Sequence, residues 1–160
     1  MKTFLFIIAL FVLSNCNFSK GVKKDLTTGL TVKYNGFTFD DIYLADPSEN
    51  RMDHNSFDLG SALMIKATDV DGFKVVGGKV FPACQIIITD KYKKELLHLT
   101  DAFTDMENGT APEKAKVLRA TVNTGSPMIQ GDTYHLYVKF YDKNNKDNQI
   151  VTNIDLIAKK

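Results

Sequence analysis

The chain has 160 residues and carries 20 Lys+Arg against 19 Asp+Glu, a formal net charge of +1, with 44% hydrophobic residues and no Trp. These values lie near globular averages, which excludes collagen-like, low-complexity and fully disordered chains and leaves no basic excess for non-specific binding to nucleic acid. Two cysteines rule out a disulfide scaffold, and the length suits one domain with a core of its own.

The first segment reads as an address. Lys2 is a short positive region, and Thr3 to Leu13 is an apolar run of about eleven residues. That length fits the roughly 7–15 residues of a signal-peptide core and falls short of the roughly twenty needed to span a bilayer. The run ends in Leu13, Ser14, Asn15 and Cys16. An aliphatic residue, two small or polar residues and a Cys resemble the lipobox of bacterial lipoproteins. The resemblance implies cleavage before Cys16, a diacylglycerol on its sulfur and a further acyl chain on its freed amine. The alternative is an ordinary secretory signal with a chance cysteine. By the same resemblance, Asn17 in place of Asp after the cysteine points to the outer membrane, facing the periplasm. Loss of Lys2 would leave nineteen basic and nineteen acidic side chains, and Cys84 would have no intrachain partner. Residues 17–29 are polar, contain Lys20, Lys23 and Lys24, and show no apolar period, so residues 16–29 read as a lipidated Cys and flexible tether between a leader (1–15) and a domain (30–160). The three lysines would rest against anionic headgroups.

From Leu30 onward the apolar residues recur with period two, which predicts strands. Leu30 to Tyr34 is a short one. Phe37 to Leu44 shifts phase at Asp40 and Asp41, the sign of a β-bulge. Leu59 to Thr68 turns Leu63, Ile65 and Ala67 inward. Lys74 to Phe81 follows a turn at Asp71 and Gly72. Cys84 to Thr89 turns Cys84, Ile86 and Ile88 inward, and Glu95 to Leu99 is brief. Thr100 to Met106, with Thr100 as N-cap, would form one or two helical turns. Thr110, Pro112 and Glu113 match a capping box, so residues 112–119 are either helix or strand; Thr121, Val122 and the turn at Asn123 to Gly125 favour the extended form. Ala115 to Val122 would then point Leu118, Ala120 and Val122 inward. Tyr134 to Tyr141 is the clearest strand, with Tyr134, Leu136, Val138 and Phe140 on one face. A polar seven-residue loop, Asp142 to Asn148, would join it to Ile150 to Ile157, whose Ile150, Thr152, Ile154 and Leu156 share a face.

Such spacing predicts an all-β antiparallel sandwich or barrel. Gly131, Asp132, Thr133 and Tyr134, followed by Leu136 and Val138, resemble the approach to strand F of immunoglobulin-like domains. There a tyrosine near the strand start bonds upstream backbone. The fold expected is an Ig-like sandwich of about seven to nine strands. The stretch from Gly78 through the final hairpin also resembles small lipoproteins of Bacteroidota that have no assigned activity. The likeness lies in Lys79-Val80-Phe81-Pro82, Gly125-Ser126-Pro127-Met128 and Gly131-Asp132-Thr133-Tyr134. It implies lineage and fold, not chemistry.

Candidate chemistry is sparse. Cys84 would need His98 or His135 as base, yet it opens an apolar run on an inward phase, where burial leaves a thiol inert. His54, His98 and His135 lack metal-ligand spacing. Asp69, Asp71 and Gly72 look like part of a calcium loop, but residues 73–80 supply no further oxygen ligands, and Asp and Gly are ordinary turn chemistry. Asp40 and Asp41 point to opposite faces of a strand unless the bulge realigns them. No nucleophile elbow, P-loop or dinucleotide fingerprint occurs. One composition stands out: His135, Tyr137, Lys139 and Tyr141 occupy the outer phase of the clearest strand. Either that face is covered by the long segment from Thr100 to Pro112 or by another sheet, or it is a binding surface. The expected function is a lipid-anchored, non-catalytic binding or accessory module of the bacterial envelope, without cofactor, engaging a protein or glycan. A small hydrolase or metal-dependent enzyme with a loop-built site, and a structural protein that self-associates through an edge strand, are the alternatives.

Overall fold

The computed structural model describes residues 19–160. The leader and Cys16 lie outside the described residues. The strands are β1 (Lys20–Lys24), β2 (Thr31–Asn35), β3 (Asp41–Ala45), β4 (Ser56–Phe57), β5 (Ala62–Thr68), β6 (Pro82–Asp90), β7 (Glu95–Leu99), β8 (Leu118–Asn123), β9 (Thr133–Asp142) and β10 (Asn145–Ala158). Short 3-10 turns occupy Thr104–Met106 and Pro112–Lys116.

The strands form two sheets. The larger runs β1-β2-β10-β9-β6-β7, with β4 touching the end of β10; the smaller runs β3-β5-β8. Every ladder is antiparallel except the two-residue contact of β4 with β10. Alternation drives the arrangement. Leu136, Val138 and Phe140 on β9, Ile86 and Ile88 on β6, and Ile150 and Leu156 on β10 meet Leu44, Ile65 and Leu118 of the small sheet, all at most 1% exposed. An apolar side chain of this size stabilises the fold by roughly 1.5–3 kcal/mol when fully buried. The all-β sandwich expected from the sequence is therefore present. Its corner is also in place: the Tyr134 hydroxyl accepts the Ile129 N–H at 2.6 Å and donates to the Ile129 carbonyl at 3.4 Å.

Several local expectations are corrected. Among the described residues ten strands form, not seven to nine: β1 in the segment read as tether and the two-residue β4 are added, and the strand expected at Lys74 to Phe81 is lost. Lys20–Lys24 pairs with β2 along its whole length, from Lys20 opposite Asn35 to Lys24 opposite Thr31, so the folded domain starts before residue 30. The strand expected at Lys74 to Phe81 does not form. Residues 74–79 are exposed, and a two-residue Gly77-Gly78 turn closes Val76 onto Lys79. No bulge marks the phase slip at Asp40 and Asp41: Thr38 already pairs with Asp71 and the Asp40 N–H with the Thr68 carbonyl, in the same register as β3 with β5, so the chain leaves the large sheet between Gly36 and Thr38. Residues 112–119 satisfy both readings: Pro112 opens a 3-10 turn, which ends at Lys116 before β8 begins at Leu118. Helix at 100–106 shrinks to Thr104–Met106, and the residue before that turn is Phe103, not Thr100. The loop between the last strands is only Lys143 and Asn144, with the register shift displaced into β10 between Asn145 and Gln149. Asp142 explains the tight turn. It is fully buried, and its carboxylate accepts the N–H groups of Asn144 at 2.8 Å and of Lys74 at 2.7 Å.

Gly72 is required where these loops meet. Its φ is +108°, and a Cβ there would lie 2.5 Å from the Gly36 carbonyl oxygen. A larger residue would force backbone apart as well as adopt an unfavourable torsion.

Candidate functional site

The sequence singled out four residues, and the structure brings all four to one surface. His135, Tyr137, Lys139 and Tyr141 point outward from β9, between β10 and β6 in the large sheet. The register supplies neighbours that the sequence alone could not place. Tyr137 sits between Asn153 and Ile87, and Ile87 faces His98 of β7; Lys139 sits between Val151 and Gln85; His135 sits between Asp155 and Thr89. Ile87 and Val151 therefore widen the aromatic row into a partly apolar field. A groove of about 300 Å³ runs between Tyr137, His135, Asn153, Asp155, Ile87 and Thr89.

Polar groups frame this field. The His135 ring nitrogen bonds the Asp155 carboxylate, and His98 bridges Gln85 and Glu95. The Lys139 ammonium lies 5.2 Å from the Tyr141 ring centre, a cation–π contact of the order of 0.5–1 kcal/mol at an exposed site. Burial raises the Tyr137 phenol above its ordinary pKa, and the same cause, reinforced by the Asp101 carboxylate, raises Tyr141. Both hydroxyls stay neutral donors near neutral pH. Such side chains combine apolar area with a hydrogen-bonding tip, a composition enriched at recognition surfaces.

The long segment after β7 does not roof this face. Its backbone continues beside β6, where Asp101 accepts the Cys84 N–H at 3.0 Å and the Ala102 N–H reaches the Cys84 carbonyl at 2.6 Å. Phe103 then drops into the core and stacks on Phe140, ring centres 6.0 Å apart. The segment closes the side of the sandwich, and among the described residues the outer face of β9 stays open.

The outer face of the small sheet is built differently. Tyr43, Lys66 and Arg119 form one cross-strand row. Glu49 folds over it, accepting Arg119 Nε at 2.8 Å and bonding Lys66 Nζ. Arg51 caps Tyr43, 4.4 Å from the ring centre, and pairs with Asp41. Here the charges satisfy one another. The hydrogen bonds from Arg119 and then Lys66 hold the Glu49 carboxyl down at about 2, below its ordinary 4.5. A depressed folded-state pKa contributes stability that is complete above about 4.5 and lost as pH falls through about 2. Glu49→Gln is therefore expected to be less stable than wild type at neutral pH, with the gap closing on acidification. Urea unfolding of both proteins at neutral pH and at about pH 3 measures it, and a gap that does not shrink would exclude the ionised carboxylate as the cause.

The catalytic candidates disperse. Cys84 is fully buried on the inner phase of β6, and burial, aided by Asp101, pushes its thiol far above the ordinary range. His98 and His135 lie on the opposite face of the same sheet, so neither reaches the sulfur. Asp69 pairs with Lys116 at 3.1 Å, while Asp71 accepts its neighbour Gly72's N–H at 2.7 Å; these carboxylates serve a turn. Asp41 is occupied by Arg51. Among the described residues, no three His, Cys, Asp or Glu side chains converge to hold a metal ion. No described helix is long and apolar enough to cross a membrane. No protein-family model matches the sequence, and a search of the curated proteins finds no match.

Proposed function

We propose that the protein is a lipid-anchored, non-catalytic binding or accessory module of a bacterial cell envelope, held at the periplasmic face of the outer membrane through Cys16. It engages an envelope protein or glycan through the outer face of its large sheet. One observation carries this reading: Tyr137, Tyr141 and Lys139, with Ile87 and Val151 beside them, form a field on the central strands that none of the described residues covers, in contrast to the charge-satisfied face of the small sheet. A rigid sheet holds these side chains in place before a partner arrives, which lowers the ordering cost of binding. Flat aromatic surfaces suit a sugar ring or an extended peptide equally, and the open groove beside Tyr137 gives either one a seat.

Affinity capture from native envelopes, with the intact lipoprotein as bait, tests the proposal. Tyr137→Ala together with Tyr141→Ala is expected to reduce specific capture about tenfold or more, as befits the loss of two aromatic anchors. Both tyrosines are only half-buried, so the double variant should retain the wild-type unfolding midpoint to within a few degrees. Identical partner sets and yields from the two baits would remove the face from the function.

A further inference from the structure

The loop from Phe73 to Val80 projects from the same end of the sandwich as the start of the ordered chain. The Gly36 N–H bonds the Ser19 carbonyl at 2.7 Å, which pins the N-terminal strand beside that end. Asn148, next to Gly36, donates to the Gly72 carbonyl at 2.6 Å. The loop's base is fixed on both sides: the Lys74 N–H bonds the buried Asp142 carboxylate, and Val80 exchanges two backbone bonds with Thr110 at 2.9 Å each. Between these points Val76 and Lys79 pair across Gly77 and Gly78, whose φ values of 58° and 75° suit a tight hairpin turn. The result is a fastened prong, not a loose loop. Yet its tip carries Val75, 57% exposed, and Val76, 45% exposed, flanked by Lys74 and Lys79. Other apolar side chains, such as Leu26 and Ile129, are also exposed, so it is the place of these two adjacent valines on a fixed turn that singles them out.

Position decides what receives the two valines. Only Asn17 and Phe18 separate Cys16 from Ser19, so three residue steps, at most about 10 Å of extended chain, link the anchor to the pinned strand. An acylated Cys16 therefore holds this end of the sandwich at the headgroups and the opposite end away from them. We infer that the Phe73–Val80 prong docks on the lipid bilayer that holds the anchor, with Val75 and Val76 at the headgroup–acyl boundary and Lys74 and Lys79 at the level of the phosphates. This rests on the lipidation of Cys16. Docking at a second point beside the anchor fixes the domain's orientation, because the tether converts weak contacts into an intramolecular event. The outer face of the large sheet then stands upright to the membrane, open to an envelope partner.

The absence of native Trp makes the test direct. Val76→Trp places a single fluorophore at the prong. Tyr92→Trp, in the β6–β7 turn and 80% exposed in the wild type, places one at the far end, beyond the roughly 25 Å of β9 that separates Tyr134 from Asp142. Each full-length lipoprotein is reconstituted into phosphatidylcholine vesicles containing phosphatidylglycerol, with and without bromine-labelled acyl chains. The expected result is a blue-shifted emission at position 76 that bromolipid quenches strongly, with emission at position 92 unshifted and unquenched. In Cys16→Ser the shift at 76 is expected to vanish. Water-like emission at 76 in protein that floats with the vesicles would overturn the docking and leave the anchor standing. Equal quenching at 76 and 92 would overturn the orientation. Failure of the unsubstituted protein to float would remove the anchor, and the docking with it.

Discussion

Phe140→Ala is expected to lower the unfolding free energy by about 3–5 kcal/mol, a fall in midpoint of roughly 10–20 °C for a domain of this size. Phe140 is fully buried near the end of β9, where its ring stacks on Phe103 of the segment after β7. Truncation removes apolar surface and leaves a hole that well-paired strands on both sides, β10 and β6, cannot close by moving together. The loss is a large part of the 5–15 kcal/mol by which a domain is ordinarily stable. Phe103→Ala should cost less, because Phe103 is 7% exposed where Phe140 is fully buried, so truncation removes less buried surface. The two rings stack with planes 23° apart, so their double-mutant cycle should show coupling of about 0.5–1.5 kcal/mol. Additive losses would mean that Phe103 does not seal the core beside Phe140. The claim that the segment after β7 closes the side of the sandwich, instead of roofing the outer face, would then lose its main support. Tyr92→Ala, at an exposed turn, serves as the reference and should change stability by no more than about 0.5 kcal/mol.

What the sequence made legible was the alternation. Leu63, Ile65, Ala67, Leu118, Ala120, Val122 and the inward residues of β9 and β10 were readable because period two is local information, set by the direction of successive Cβ atoms. Tyr134 was readable for the same reason: its partner lies five residues upstream. The misreadings concern partners far away in sequence. Lys20–Lys24 looks like a tether because most of its side chains are exposed at an edge, the Lys23 ammonium over the Phe39 ring being an exception; what orders it is β2, which itself leans on β10. Lys74 to Phe81 has the composition of a strand, but its two central glycines turn it back on itself, pairing Val76 with Lys79, and Val80 meets Thr110 by a single bridge. Asp142 and Asn144 looked like loop residues, whereas the buried carboxylate of Asp142 is the bolt that fastens two loops.

The candidate face divides along the same line. Its four residues on β9 were visible as an outward phase. Ile87, Val151, Asn153 and Asp155, which turn a row into a field, were not, because cross-strand register is fixed by turn geometry and distant pairing. The short β9–β10 turn followed by a shift between Asn145 and Gln149 sets which β10 residue faces Tyr137. A one-residue slip there would carry Val151 and Asn153 to the inner face and expose Ile150 and Thr152.

Cys16→Ser should move the protein from the membrane to the soluble fraction, the largest change in behaviour that a single atom of this chain is expected to control. An acyl chain contributes about 0.8 kcal/mol per buried CH₂, so one holds a protein marginally and two or more hold it firmly. Nothing else described in the chain approaches that. The charged side chains nearly cancel, and no described helix spans a bilayer. The two prong valines would add at most about 1.5–3 kcal/mol each even if fully buried, well short of stable retention without a tether. An uncleaved leader of about eleven apolar residues is likewise short of the roughly twenty that make a stable span. Fractionation of cells expressing wild type and Cys16→Ser reads the outcome, and the mass of the mature wild-type N-terminal peptide reads the modification. Added acyl mass on a chain beginning at Cys16, together with release of the serine variant, is the expected pair of results. Retention of Cys16→Ser at the wild-type level would refute the anchor. Release without acyl mass on the wild-type cysteine would make its thiol, and not a lipid, the element that matters.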